Sequence, residues 1–90
     1  MNLDKSTFPN RTLAGSSFEH LVEELNKVVS PLEEALYAIV DAMPHGRDYI
    51  GRDEEYKAAC AQHTENYNDL LKLKNFFEDK RQHCFEQIAK

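Results

Sequence analysis

The stretch AMPHGRDYIGRDEEY, residues 42–56, decides how this chain folds, because it separates two long segments that have helical patterns. It contains two of the three glycines and one of the three prolines. Pro44 is typical of a helix end, and Gly46 and Gly51 can adopt the positive φ angles that turns need. The stretch therefore predicts a loop over residues 44–52 that reverses the direction of the chain.

The segment before the loop carries an apolar stripe at spacings of three and four residues, which is typical of an amphipathic helix. The stripe consists of Phe18, Leu21, Val22, Leu25, Val28, Val29, Leu32, Leu36, Ile39, Val40 and Met43. The serine pair at 16–17 can cap its start. Ser30-Pro31-Leu32-Glu33 has the pattern of a second start, because proline is tolerated at the first helical position and glutamate completes a capping box. We therefore expect a first helix that is kinked or split at Pro31, over about 17–29 and 31–43.

The segment after the loop contains no glycine or proline, and it opens with three acids, Asp53, Glu54 and Glu55, where a helix macrodipole favours negative charge. A long second helix is expected from about 53 to 89. Its stripe consists of Tyr56, Cys60, His63, Tyr67, Leu70, Leu71, Lys74, Phe77, Arg81, Cys84, Phe85 and Ile88. Together the two stripes predict an all-α antiparallel helical hairpin, one domain over 1–90 with an N-terminal arm over 1–15.

A register follows if the stripes face each other across the loop. It pairs Val40 with Tyr56, Leu36 with Cys60, Val29 with Tyr67, Leu25 with Leu71, and Phe18 with Phe77. Charge supports the pairing, because residues 16–43 carry six acids and one lysine, whereas residues 57–90 carry six basic residues and five acids.

The second helix is longer than the first, so its C-terminal part extends beyond the hairpin contact. Leu3, Phe8 and Leu13 of the arm can cover this part, or a second subunit must. Because a two-helix hairpin buries only one face of each helix, a homodimer that completes a four-helix bundle is expected.

Composition excludes several classes of protein. The net charge of −5 disfavours direct binding to nucleic acid. The longest apolar run, 35–40, is far shorter than the roughly 20 residues of a membrane span, and no apolar run of a secretory signal follows residues 1–5. We therefore expect a cytoplasmic protein. If Cys60 and Cys84 share one helix, about 36 Å separates them, too far for a disulfide within one chain.

The loop carries more charged and aromatic side chains than a reversal requires: His45, Arg47, Asp48, Tyr49 and Arg52. In one interpretation the two arginines bind helix-end carbonyls and nearby acids, while Tyr49 and Ile50 plug the end of the bundle. In the other, the loop is a recognition tip for a partner protein, since a guanidinium beside an exposed aromatic ring suits a binding hot spot.

The segment Pro44-His45-Gly46-Arg47-Asp48-Tyr49 resembles an "HPHGRDY"-type segment of small uncharacterised helical proteins of bacteriophages and prophages. The resemblance covers about six residues, and Met43 stands where that pattern begins with histidine. It implies a phage-encoded accessory protein in the cytoplasm of a bacterial host, and it implies no activity.

Metal binding and catalysis find little support. Cys60 and His63 lie one helical turn apart, but His83 and Cys84 are about 30 Å further along the helix, too far to complete a tetrahedral site. We expect the pair to be core residues, with the imidazole hydrogen-bonded between the helices. No phosphate-binding loop or nucleophile signature occurs, so we expect neither an enzyme nor a cofactor.

Three functions remain open. The first is a protein–protein interaction module that binds a host or phage protein through the loop tip or a helix face. The second is an acidic mimic of nucleic acid that inhibits a host defence or transcription protein, with carboxylates at Glu19, Glu23, Glu24, Glu33, Glu34 and Asp41 in place of phosphates. The third is a structural or assembly component.

Overall fold

The computed structural model describes residues 1–10 and 17–89. In these residues the chain forms two α-helices, α1 (Phe18–Asp41) and α2 (Asp53–Ile88), which pack against each other, and no strand. Short 3-10 helices, Lys5–Thr7 and Gly46–Tyr49, lie in the arm and in the loop. The molecule measures 62 × 22 × 19 Å. The predicted all-α hairpin is confirmed.

Helix α1 is one continuous helix with Pro31 inside it, so of the two predicted alternatives, kinked or split, the split is wrong. Its start is capped as expected, because the Ser17 hydroxyl accepts a hydrogen bond from the His20 N–H at 3.1 Å. Val29 and Leu36 are buried on either side of the proline, and this burial holds both segments on one axis. Pro31 itself is exposed, so the carbonyl group that loses its N–H partner lies on the solvent side.

The end of α1 is determined by Pro44, which has no N–H to give to the Val40 carbonyl. That carbonyl instead accepts a bond from the Met43 N–H at 3.3 Å. The Ile39 carbonyl, whose helical partner would be Met43, accepts a hydrogen bond from His63 Nε2 of α2 at 2.6 Å. His63 thus satisfies a terminal carbonyl of α1, and the expected histidine bond between the helices is confirmed.

The loop folds back onto the beginning of α2. The Tyr49 and Tyr56 rings lie 5.7 Å apart, and the Tyr56 ring also passes close to Gly46. Gly51 has the positive φ expected of it, 76°, whereas Gly46 does not adopt one, contrary to the prediction. The first turns of α2 therefore contact the loop rather than α1.

This contact displaces the register from the predicted one. Ile39 lies opposite His63, and the Arg81 guanidinium donates to Asn26 Oδ1 at 2.9 Å. Leu36 shares a groove with Tyr67 instead of facing Cys60.

The five predicted pairs, from Val40 with Tyr56 to Phe18 with Phe77, are therefore wrong by about two helical turns. The buried residues of the two helices, Leu25, Val29, Leu36 and Cys84, lie on the stripes that were predicted. The length of α2 that the loop covers was not predicted.

The arm covers the far end of α2, as predicted for Phe8. The buried Phe8 ring lies 5.3 Å from the Phe76 ring and 5.5 Å from the His83 ring. His83 Nε2 donates to the Pro9 carbonyl at 2.8 Å. Leu3 is half-buried, and Leu13 lies outside the described residues. The arm is therefore a third layer that packs on a second face of α2.

Two polar contacts hold the 3-10 helix of the arm. The Asp4 carboxylate accepts from the Ser6 N–H at 2.9 Å, and its hydrogen bonds with the Ser6 side chain and backbone lower its pKa. Lys5 forms an ion pair with Asp79 of α2 at 2.7 Å. These contacts fix the orientation in which Phe8 reaches α2.

The two ends of the molecule differ in burial. We call residues 1–10, 17–29 and 75–89 the arm half, and residues 30–74 the loop half. Among the described residues, the buried apolar side chains are Phe8, Leu25, Val29, Leu36 and Cys84. Only Leu36 of this set belongs to the loop half, so the core lies almost entirely beside the arm.

Candidate functional site

The loop residues separate into an inward and an outward group. The inward group contacts the start of α2: Tyr49 is half-buried against Tyr56, and Arg52, although exposed, has its guanidinium carbon 5.6 Å from the centre of the Tyr49 ring. Arg52 also forms an ion pair with Glu55 in the first turn of α2. These contacts match the structural interpretation of Arg52 and Tyr49.

The outward group consists of His45, Arg47, Asp48 and Ile50, all exposed. Ile50 is 83% exposed, so the prediction that it plugs the end of the bundle is wrong. The Asp48 N–H bonds the His45 carbonyl at 3.0 Å and the Arg52 N–H bonds the Tyr49 carbonyl at 2.8 Å. The backbone hydrogen bonds therefore order this turn while its side chains remain in solvent.

Arg47 has a different environment from Arg52. Its guanidinium forms no ion pair with any other residue that the structure describes, which departs from the structural interpretation of the loop. A guanidinium that is not engaged within the chain keeps its donors for a partner. Arg47 and Ile50 therefore form the distinctive part of the tip.

The predicted acidic face is exposed along α1 but is not one continuous surface. Four acids, Glu19, Glu23, Glu34 and Asp41, lie on the side away from α2, with gaps of about 6, 16 and 10 Å at the helical rise. Phosphates follow each other far more closely, at about 3.4 Å of rise per strand.

The other two acids have different neighbours. Glu24 lies 3.1 Å from Lys27 and 3.8 Å from His20, so nearby bases partly offset its charge. Glu33 lines the groove described below. The predicted set of six is thus divided among three surroundings.

The cysteines and histidines of α2 have structural surroundings. Cys60 raises the pKa of the Tyr56 hydroxyl, first by hydrogen bonding with it and second by the charge of its thiolate. Cys84 is fully buried, and this burial raises the pKa of its thiol. Both thiols are free. Within residues 1–10 and 17–89, no group of three or more His, Cys, Asp or Glu side chains could hold a metal ion.

A groove opens between the helices in the loop half, and no pattern in the sequence predicted it. Its volume is about 380 Å³, and its lining combines apolar residues with one acid and one base: Leu36, Tyr37, Val40, Tyr67, Leu71, Glu33 and Lys74. A shallower depression of about 150 Å³ continues it toward the loop and adds Met43, His63 and Thr64. We call the two together the open groove.

Tyr37 is the residue that could have revealed this groove from the sequence. It is 79% exposed and stands on α1 between Glu34 and Asp41, away from the apolar stripe. An aromatic side chain at an exposed position among acids does not belong to the apolar stripe that packs on α2. Such a residue is a signal for a second contact surface.

No described helix has a stretch apolar and long enough to cross a lipid bilayer. The chain matches no protein-family model, no curated protein and no solved structure.

Proposed function

We propose that this chain is a non-enzymatic protein-binding module that captures a partner protein through the tip of the hairpin. The observation that carries the proposal is the exposure of Ile50, a large apolar side chain held in water on a turn ordered by hydrogen bonds. Burial of such a side chain against a partner is favourable by about 1.5–3 kcal/mol.

The surroundings of Ile50 support this use of the tip. Exposed polar groups, His45, Arg47 and Asp48, flank it, and an apolar anchor within a polar rim is the usual arrangement of an interface hot spot. Tyr49 and Arg52 stabilise the turn through their contacts with Tyr56 and Glu55. A stabilised turn loses less conformational entropy on binding than a flexible one.

The class of partner follows from the resemblance of residues 44–49 to phage and prophage proteins. We propose a phage-encoded accessory protein whose partner is a host or phage protein in the bacterial cytoplasm. The acidic mimic has less support, because the carboxylates on the outer face of α1 are too widely spaced to follow a phosphate strand. An assembly component would fit the elongated shape but does not require an exposed apolar tip.

The test is affinity capture from a bacterial lysate with the tagged full chain and with Ile50→Arg and Arg47→Ala variants. Phe85→Arg is the matched control, because Phe85 is 58% exposed near the opposite end of α2. We expect one captured protein to be lost with both tip variants and retained with the control. Circular dichroism checks that all variants keep the helical content of the wild type.

Two results would contradict the proposal. Retention of the partner by Ile50→Arg would place the binding surface elsewhere. Equal loss with Phe85→Arg would show that capture depends on general surface hydrophobicity. If only Arg47→Ala kept the partner, the apolar anchor alone would carry the binding.

A further inference from the structure

We infer that the open groove is a dimer interface, in which a second copy of the chain packs its own groove antiparallel against the first. The four helices of the two loop halves then form a bundle around a shared core. This interface uses a different surface from the tip, so it stands independently of the proposed capture of a partner protein.

The loop half has almost no buried core of its own. Over residues 30–74, all of which the structure describes, only Leu36 is buried. Helices derive most of their stability from an apolar face covered by other elements. Here α1 and α2 have only each other, whereas in the arm half the Phe8 segment adds a third layer.

The chain exposes more surface to solvent than a compact protein of the same mass. The chain exposes 6634 Å², about 1,200 Å² more than the roughly 5,400 Å² expected of a compact protein of 10.4 kDa. Its radius of gyration is 18.4 Å, against about 12 Å for a compact chain of this length. A stable interface buries about 800 Å² on each partner. The excess is therefore sufficient for one dimer contact.

The groove is also complementary to itself in shape, as a two-fold interface requires. The protruding Tyr37 ring stands beside a depression lined by Val40 and Tyr67. A two-fold axis through the groove brings the ring of each copy to the depression of the other. Lys74 in the same lining is already paired with Glu78 of its own chain at 3.2 Å, so shape and apolar contact, not an ion pair between copies, carry the complementarity.

The local charge of the groove allows a second copy at this surface despite the net charge of −5. The lining of the groove is itself neutral, since it holds one acid and one base. Glu19 and Glu23 lie on the outer side of α1 in the arm half, away from the groove. In the dimer these acids stay in water, where salt screens their repulsion.

The experiment is sedimentation velocity on the full chain over about 1 to 200 μM, because mass action makes dimerisation depend on concentration. Tyr37→Arg places two guanidinium groups near the two-fold axis and should leave the fold intact, since Tyr37 makes little contact within its own chain. We expect the dissociation constant of the dimer to rise at least about thirtyfold, as for an interface hot spot. Ile50→Arg is the control and should dimerise like the wild type.

Each outcome of the experiment either overturns or supports the proposed dimer interface. A wild-type chain that remains monomeric over the whole range overturns the inference, and so does a Tyr37→Arg variant with unchanged affinity. Equal weakening by Ile50→Arg also overturns it, because the contact would then involve the tip. A dimer that Tyr37→Arg dissociates, while Tyr37→Arg still captures the partner protein, supports the interface and keeps the two surfaces distinct.

Discussion

The arm half and the loop half contain the same two helices, yet only the arm half has a closed core. Ten residues account for the difference: the arm brings Phe8 onto Phe76 and His83 and covers a second face of α2. In the loop half that third layer is missing, and Tyr37, Val40 and Met43 remain exposed. The two amphipathic helices of this hairpin therefore form a closed core only where a third element covers them.

The same substitution in each half should have the most unequal effects on stability. Val29 is 1% exposed and Val40 55%. We expect Val29→Asp to lower the free energy of unfolding by more than about 3 kcal/mol, because it buries an unpaired carboxylate. Val40→Asp should cost less than about 1 kcal/mol in the monomer. Urea unfolding at low protein concentration, followed by circular dichroism, measures both, and equal losses would mean that both halves have a closed core.

A second comparison uses two phenylalanines of the arm half. Phe8→Ala removes the aromatic contact of the arm with α2, and we expect a loss of about 2–4 kcal/mol in the free energy of unfolding. Phe85→Ala, at an exposed position, should change it by no more than about 0.5 kcal/mol. Hydrogen exchange of residues 76–84 should also accelerate in Phe8→Ala alone. Unchanged exchange there would show that the arm does not protect α2.

Each half also contains a histidine that donates to a backbone carbonyl, His83 to Pro9 and His63 to Ile39. Substitution by phenylalanine keeps a planar ring and removes the donor, at an expected cost of about 1 kcal/mol for each bond. The part of the chain that is destabilised should differ between the two variants, and amide exchange measured by NMR can locate it. His83→Phe should loosen the arm, and His63→Phe should fray the last turn of α1, so the same exchange pattern in both variants would refute the assignment.

The smallest expected effect is a pH dependence confined to the arm. The pKa of Asp4 in the folded chain lies below its usual 3.8 because of its bonds with Ser6. A depressed folded pKa stabilises the docked arm above the unfolded pKa, and this contribution is lost as the pH falls through the folded value. The NMR signal of the Ser6 amide should therefore shift below about pH 4. Asp4→Asn should remove that shift, and its persistence in this variant would assign the titration to another group.

The candidate site was predictable only where local chemistry decides the structure. The bond of Arg52 to a nearby acid followed from charges three residues apart, and the turn at Gly51 followed from its freedom at positive φ. The exposure of Ile50 was missed, because an apolar residue in a loop has no pattern that tells burial from exposure. The open groove was missed because it depends on how far α1 reaches along α2.

The register shows the same limit. The residues of the two helices that are buried all belong to the predicted stripes, because a spacing of three and four identifies a helix face from the sequence alone, whereas Val40, Met43 and Phe85 of the same stripes are exposed. The pairing of the stripes was wrong by about two turns, because the loop folds back along α2 and occupies the positions near Tyr56 that were assigned to Val40. Tertiary contacts likewise override the helix-start signal at Ser30-Pro31, since burial of Val29 and Leu36 outweighs one lost backbone bond.

Local sequence patterns were enough to predict that this chain is helical, that it reverses at residues 44–52 and that each helix carries an apolar stripe. These properties depend on interactions between residues a few positions apart, which any chain with the same pattern shares. Only the tertiary structure decided the register, the docking of the arm and the groove that remains uncovered. These depend on contacts between residues far apart along the chain, where several pairings of the same apolar stripes compete and three-dimensional fit selects one.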